Sequence, residues 1–172
     1  KSLKDKSLKD QINLIKEELT KYKIKANYNE NLSLSENIKN LSKQLDKIKI
    51  ENILKDKKKN VIKDKKIGTF ILRYQVLSDF PPKELRNIVD KSKKEIKEGI
   101  VVGFSTFEGK VGVAVGITDK LTKRYDAVLL VKTASEILGG KGGGGRKDFA
   151  QAGGTNKDKI EEAFKILSKK IN

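Results

Sequence analysis

The stretch that decides the fold is "IVVGFSTFEGKVGVAVGI", residues 100–117. Its apolar runs predict two strands that are joined by a turn at Glu108–Gly109. In the second strand, the odd-numbered residues from Val111 to Ile117 point to one face, and the small residues at 112, 114 and 116 point to the other. A strand face with almost no side chains lets another element pack closely against it. The stretch therefore predicts the centre of a sheet with a closely packed neighbour.

The sequence just before this hairpin predicts a strand and then a helix. Apolar residues alternate at positions 70, 72, 74 and 76, which is the period of a strand. The segment "SDFPPKEL" (78–85) then opens a helix, because proline is tolerated in the first helical turn. Leu85, Ile88, Val89 and Ile96 form its buried face, and Gly99 ends it.

Two further helices are predicted after the hairpin. Thr118 or Asp119 caps the first, which runs to Leu138, and Thr155 or Asn156 caps the second. The apolar face of the second helix steps by three or four residues and comprises Ile160, Ala163, Phe164, Leu167 and Ile171. The order β-α-β-β-α-(glycine loop)-α predicts an α/β (α+β) fold in which helices cover a short sheet.

The first 66 residues form a separate region that contains no glycine and no proline. Apolar residues there recur at heptad spacing in two segments, and Ser33 with Glu36 fits a capping box. The two stripes comprise Leu8, Ile12, Ile15, Leu19, Tyr22 and Ala26, and then Leu34, Ile38, Leu41, Leu45 and Ile48. This predicts an antiparallel two-helix coiled-coil arm at 1–66 before a globular domain at 67–172. The arm is either a simple hairpin or a surface that uses Ile50, Ile53 and Leu54 to pack on a neighbouring domain or a second copy.

Composition excludes several kinds of chemistry. The chain has no cysteine and no histidine, which excludes disulfides, thiolate sites, imidazole bases and histidine metal ligands within it. Its net charge of +16 attracts polyanions, although only four of its 39 basic residues are arginine and a coding bias inflates lysine. No apolar run is long enough to span a membrane. Because methionine is absent, we expect a fragment or a processed chain of a longer protein. The expected compartment is the cytoplasm.

Residues 138–154, "LGGKGGGGRKDFAQAGG", concentrate glycine beside basic residues. The dinucleotide fingerprint requires a preceding strand, and the P-loop requires Ser or Thr after its lysine, so neither pattern fits. The interpretation as a flexible linker is less well supported, because the run contains an aromatic residue and a patterned helix follows it. We predict a structured glycine-rich loop at 139–154 whose N–H groups, with Lys141, Arg146 and Lys147, bind an anion such as phosphate. The last helix adds its positive N-terminal end nearby.

The ordered run in 138–154, together with "GITDKLTKRYDA" (116–127) and "ELRNIVDKSKKEIKEGIVVGFSTFEGKVGVAVG" (84–116), resembles the C-terminal domain of bacterial alanyl-tRNA synthetase. That domain belongs to the DHH-associated domains, and the resemblance covers about residues 67–171. At Lys147 the family most often has proline, so this chain lacks a φ restraint there and carries one more charge.

The resemblance implies a non-catalytic, tRNA-binding module of an enzyme that joins alanine to its tRNA and also edits mischarged tRNA. ATP, Mg and Zn are expected only in the missing parts of that enzyme. The implied partners are alanine tRNA, the catalytic and editing domains of the same chain, and a second copy through the arm. The expected tRNA-binding residues are Lys141, Gly142, Gly143, Gly144, Gly145, Arg146, Lys147 and Gln151, with Lys123 and Arg124 as a second cluster.

Neighbours of these residues are given structural roles. Phe149 is expected in the core, and Asp148 is expected to anchor the loop, for example by a salt bridge with Arg146. Gln151 bonds either the loop backbone or a ribose. Other functions stay open: the substrate-binding domain of a RecJ-like phosphodiesterase, where a histidine that this chain lacks is usual; part of a free-standing alanyl editing protein; or a structural dimerisation module.

Overall fold

The computed structural model describes residues 3–171. Contacts divide the chain into two compact units, with the division between Asn52 and Ile53. The sequence placed this boundary at residue 66, and that prediction is wrong, because residues 60–67 form a strand of the second unit's sheet.

The first unit is formed by the two predicted helices, α1 (Leu3–Lys21) and α2 (Leu34–Lys55). The last turn of α2 lies beyond the division. The heptad stripes meet in a cluster in which Leu19 and Leu41 are wholly buried. The capping box is confirmed, because the backbone N–H of Ser33 donates to Glu36 Oε2 (2.9 Å) and the N–H of Glu36 donates to Ser33 Oγ (3.2 Å). These paired bonds fix where α2 begins.

Polar contacts join an earlier residue of the first segment to a later residue of the second, and a later residue of the first to an earlier residue of the second. This order confirms the antiparallel arrangement. Glu18 pairs with Lys49 at 3.2 Å, and the N–H of Asn27 donates to Gln44 Oε1 at 3.0 Å. Asn37 is wholly buried, and its amide bonds the backbone of the connecting loop on both its donor and acceptor sides. A buried amide that is satisfied in this way specifies one loop conformation.

The second unit is a six-stranded mixed sheet in the order β1-β2-β3-β4-β6-β5. All neighbouring pairs are antiparallel except β2 and β3, which are joined through a helix. The strands are β1 Asn60–Ile67, β2 Phe70–Ser78, β3 Gly99–Phe107, β4 Lys110–Ile117, β5 Gly142–Gly145 and β6 Phe149–Gly154. The helices are α3 Leu85–Ile96, α4 Ala127–Ile137 and α5 Ile160–Ile171.

The two faces of the sheet are covered by different helices. Helices α4 and α5 pack on the face that carries Phe104, Val113 and Val115, where the main core lies. Helix α3 covers the opposite face, which is the small-residue face of β4. A Cβ at Gly116 would strike Val89 Cγ1 and the stem of Lys93, so the expected close packing is confirmed.

Strand β1 was not predicted, because its lysine-rich sequence lacks an apolar alternation. The strand pairs with β2 along its whole length, and Arg73 of β2 adds a guanidinium that donates to both oxygens of Asp64 at 2.8 and 3.0 Å. Arg73 also bonds Glu95 (2.6 Å) and Ser92 (3.2 Å) of α3. The hydrogen bond to Asp64 is the main cause that raises the pKa of Arg73 above its usual value. This arginine joins β1, β2 and α3.

Three boundary predictions are also wrong. Residues 119–123 form a short 3-10 turn, and α4 starts later, where Asp126 rather than Thr118 or Asp119 accepts from the N–H of Val128. Gly99 is the first residue of β3, since α3 ends at Ile96. The last helix is preceded by a 3-10 turn (Lys157–Lys159), with no side-chain cap from Asn156.

Candidate nucleic-acid interface

The glycine-rich segment is a β-hairpin, β5–β6, and not the predicted loop, and β5 is an outer strand of the sheet. Ser135 of α4 holds the open end of this hairpin in place. The Ser135 hydroxyl donates to the carbonyl of Gly153 (2.7 Å) and accepts from the N–H of Gly142 (3.1 Å). The Ser135 carbonyl accepts from Gly140 (2.7 Å). The N–H groups of Gly140 and Gly142 are therefore used within the protein.

Close backbone approach explains why β5 consists of glycine. A Cβ at Gly143 would overlap the carbonyl oxygen of Gln151 in β6, and one at Gly145 would overlap that of Phe149. A Cβ at Gly144, in contrast, would meet open space. The glycines let β5 lie against β6 where any side chain at 143 or 145 would push the strands apart.

The turn of the hairpin, residues 146–148, presents basic side chains to solvent. The N–H of Arg146 donates to the carbonyl of Phe149 (2.7 Å), which closes the turn. Arg146 Nε lies 3.4 Å from Asp148 Oδ1, so the expected salt bridge forms, yet the arginine side chain is 68% exposed. Lys147 is exposed as well. An exposed ion pair of this length contributes little to stability and leaves the guanidinium free to contact a phosphate.

The backbone docks this turn against both ends of the segment 118–126. The Asp148 carbonyl accepts from the N–H of Ile117 (2.8 Å), and the Lys147 carbonyl accepts from the N–H of Ala127 (3.0 Å). Between those two anchors lie the exposed residues Lys123 and Arg124, so the structure brings the second predicted cluster to the same end of the sheet.

An open cleft of about 720 Å³ adjoins this region and was missed from the sequence. Its lysines come from the last turns of α3 and from the segment after β4, and Lys93 Nζ reaches the Asp148 carbonyl at 3.5 Å. The cleft is lined by Asp90, Lys93, Lys94, Lys97, Glu98, Thr118, Asp119 and Lys120. The i, i+4 spacing of Lys93 and Lys97 was the available signal. We call Lys93, Lys94, Lys97, Lys120, Lys123, Arg124, Arg146 and Lys147 the turn-side basic surface.

Lys141 lies at the opposite end of β5 from Arg146. The four residues of β5 separate them, and the five steps from residue 141 to residue 146 span about 17 Å at ~3.4 Å per residue. The start of α5 is also at the Lys141 end, because the N–H groups of Thr155 and Asn156 donate to the carbonyl of Leu138. The expected single cluster of Lys141, Arg146, Lys147 and a helix N-terminus is therefore wrong.

Gln151 and Phe149 face α3. Gln151 Nε2 donates to the backbone carbonyl of Pro82 at 2.8 Å, so its amide ties β6 to the start of α3. Phe149 is buried, as predicted, beneath the guanidinium of Arg86, whose centre lies 5.2 Å from the ring centroid. Cation–π contact of this kind adds to the packing of the ring. Both residues of β6 therefore have structural contacts within the protein, on the side of the sheet that α3 covers.

Within residues 3–171, no group of three or more acidic side chains is placed to hold a metal ion, and no helix is long and apolar enough to cross a membrane.

Comparison with known proteins places this geometry in a family. The DHHA1 domain matches residues 69–172, which is more than half of the chain and includes β2 to α5. The chain belongs to the DHHA1 domain family. The chain is similar to a solved structure, the C-Ala domain of alanyl-tRNA synthetase from Aquifex aeolicus, at 34% identity and a TM-score of 0.58, covering 62% of this chain and 96% of that one. The expected family and the α+β fold are thus confirmed.

Curated relatives of this DHHA1 chain include two alanine–tRNA ligases. The ligase of Granulibacter bethesdensis is 44% identical over 101 residues, which are 59% of this chain and 12% of the ligase. The ligase of Parvibaculum lavamentivorans is 52% identical over 84 residues, which are 48% of this chain and 9% of the ligase. The chain therefore spans only about a tenth of these relatives.

Proposed function

We propose that the chain is a non-catalytic, tRNA-binding C-terminal module of an alanyl-tRNA synthetase. The observation that carries the proposal is the turn-side basic surface, where the docked hairpin turn holds exposed Arg146 and Lys147 beside the lysine-lined cleft. Lysine and arginine on one surface bind phosphates, and RNA duplexes are recognised through their backbone and shape. The similarity to alanine–tRNA ligases gives tRNA as the nucleic acid.

The rest of the synthetase supplies what this module lacks. We propose that ATP, Mg and Zn act in other domains, and that the module helps the aminoacylation and editing sites of the same chain to act on one alanine tRNA in the cytoplasm. In this arrangement the module raises the local concentration of tRNA near both sites.

Titration of labelled alanine tRNA tests the proposal. We expect Arg146→Ala/Lys147→Ala to bind more weakly than the wild-type chain, and its slope of log affinity against log salt to be shallower by about 0.9 for each lost phosphate contact. Lys141→Ala, at the opposite end of β5, is the matched control and keeps the wild-type slope. Equal slopes for the wild type and the double variant would reject the turn-side basic surface as the binding site.

A second candidate function is self-association through the helical unit. It is favoured by Leu14 of α1, whose side chain is 62% exposed although the buried stripe of the same helix is satisfied within the unit. Sedimentation of residues 1–172 against 53–172 tests this candidate. If the longer chain stays monomeric at high concentration, self-association through this unit is rejected.

A further inference from the structure

An open groove of about 330 Å³ lies between the outer strand β1 and helix α5, within the second unit. Two aromatic rings, those of Tyr74 and Phe164, line it together with the lysines at 63, 65 and 165. None of these residues belongs to the turn-side basic surface. Sites for small ligands start at roughly 300 Å³, so the groove has room for a single nucleotide and not for a duplex.

The two rings form a platform that the core holds in place. The Tyr74 and Phe164 ring centroids are 4.5 Å apart, with 41° between the planes. Tyr74 also packs on wholly buried Phe104, with centroids 6.0 Å apart. Both platform residues stay partly exposed. A half-exposed ring whose orientation is already set loses little conformational freedom when a flat ligand stacks on it.

The charges around the platform favour an anionic ligand. Two acidic residues line the groove, Asp64 and Glu161. Both oxygens of Asp64 accept from Arg73, which does not line the groove, so Arg73 balances the charge of the Asp64 carboxylate. The lysines at 63, 65 and 165 then face one further carboxylate, that of Glu161. Burial, reinforced by this negative charge, raises the pKa of Tyr74, so its phenol stays neutral near pH 7.

We propose that this groove binds one unpaired nucleotide of an RNA strand. The base stacks on the platform of Tyr74 and Phe164, and the flanking phosphates contact Lys63, Lys65 and Lys165. Flat aromatic surfaces beside lysines are how proteins hold unpaired bases without reading their sequence. The proposal rests on the proposed RNA-binding function, but it uses a different surface and a different mode of recognition.

The first test separates base stacking from phosphate binding. A labelled single-stranded RNA hexamer and an abasic hexamer with the same number of phosphates are titrated into the full chain. We expect the hexamer with bases to bind at least about fivefold more tightly. Phe164→Leu, which keeps an apolar side chain but removes the ring face, reduces this ratio to about one. Lys132→Ala, an exposed lysine of α4 outside the groove, is the control and leaves the ratio unchanged.

A second pair of variants tests the charges and does not depend on the fate of the Phe164 variant. We expect Lys165→Ala to weaken both hexamers and to reduce the salt slope by about 0.7 for a lost single-strand phosphate contact. Glu161→Gln removes the opposing carboxylate, so it strengthens the binding of both hexamers. Circular dichroism establishes that each variant is folded before it is titrated.

Several results would overturn the proposal. They are equal binding of the two hexamers by the wild-type chain, no effect of Phe164→Leu on the ratio in a folded protein, or concentration-dependent dimerisation that blocks the groove. Adenosine monophosphate that binds as tightly as the hexamer would assign the groove to a free nucleotide instead. Failure of the proposed tRNA surface is distinguishable, because Arg146→Ala/Lys147→Ala then leaves tRNA binding unchanged whatever the hexamer ratio shows.

Discussion

Two wholly buried serines are expected to respond to the same substitution with opposite sign. The hydroxyl of Ser135 bonds both the Gly142 N–H and the Gly153 carbonyl, whereas the hydroxyl of Ser105 in β3 is buried without a hydrogen-bond partner in the described structure. Ser135→Ala therefore removes two bonds and leaves two backbone groups unsatisfied. Ser105→Ala removes only a polar atom that already lacks a partner.

The contacts set the size of each effect. A hydrogen bond contributes about 1 kcal/mol net, and a fully buried orphan group costs more, but Gly153 is exposed enough for water to replace part of the loss. We expect Ser135→Ala to lower the free energy of unfolding by about 2 kcal/mol, which is a fall in Tm of about 7 °C for a chain of this size. Ser105→Ala is expected to leave Tm unchanged or to raise it slightly.

Thermal unfolding followed by circular dichroism measures both variants, and amide hydrogen exchange locates the damage. In Ser135→Ala the Gly142 amide exchanges faster, while the amides of β3 and β4 keep their protection under native conditions. Equal melting temperatures for Ser135→Ala and Ser105→Ala, or unchanged exchange at Gly142, would refute the idea that Ser135 holds the hairpin to α4.

Four other substitutions test the contacts described above. Gly143→Ala is expected to lower Tm, because its methyl group would overlap the Gln151 carbonyl. The methyl group of Gly144→Ala would meet open space, so its free energy of unfolding is expected to stay within about 0.5 kcal/mol of the wild type in the same thermal melt. Arg73→Met leaves two carboxylates without their shared cation and is expected to cost about 2 kcal/mol in chemical denaturation. Because the pKa of Tyr74 is raised in the folded chain, the stability that its neutral phenol contributes is present below pH 10 and is lost as pH rises above that. Tyr74→Phe is expected to reduce this loss of stability, which chemical denaturation at a series of alkaline pH values measures.

The strands with a regular apolar period were predictable, and the others were not. β3 is a continuous apolar run, and β4 carries alternating valines with a face of small residues, so both strands and the close neighbour of β4 follow from the sequence. Half of the residues of β1 are lysine or aspartate, and the strand is tied to β2 and α3 by an Arg73 salt bridge that no local pattern reveals. β5 has no side chains at all, so the period that identifies strands is absent.

The candidate site divides in a similar way. The basic residues around position 146 and their partner Asp148 were predictable, because the motif places them together along the chain. Lys141 was assigned to the same cluster because sequence distance hides the direction of a strand, which carries it to the far end of β5. The cleft beside α3 and the β1–α5 groove depend on elements that are distant in sequence. Only the topology of the sheet brings those residues together.

The two outer strands of the sheet also bear on solubility. An outer strand offers unpaired N–H and carbonyl groups to another chain, and long, flat, apolar edges promote aggregation. β1 carries Lys63, Lys65 and Lys66, whose charges repel a second copy of the same strand. β5 is only four residues long and twists through positive φ angles at Gly142 (97°) and Gly145 (152°). Each edge of the sheet is thus a poor template for strand addition. The β1 edge is protected by charge, and the β5 edge is protected by its short, irregular backbone.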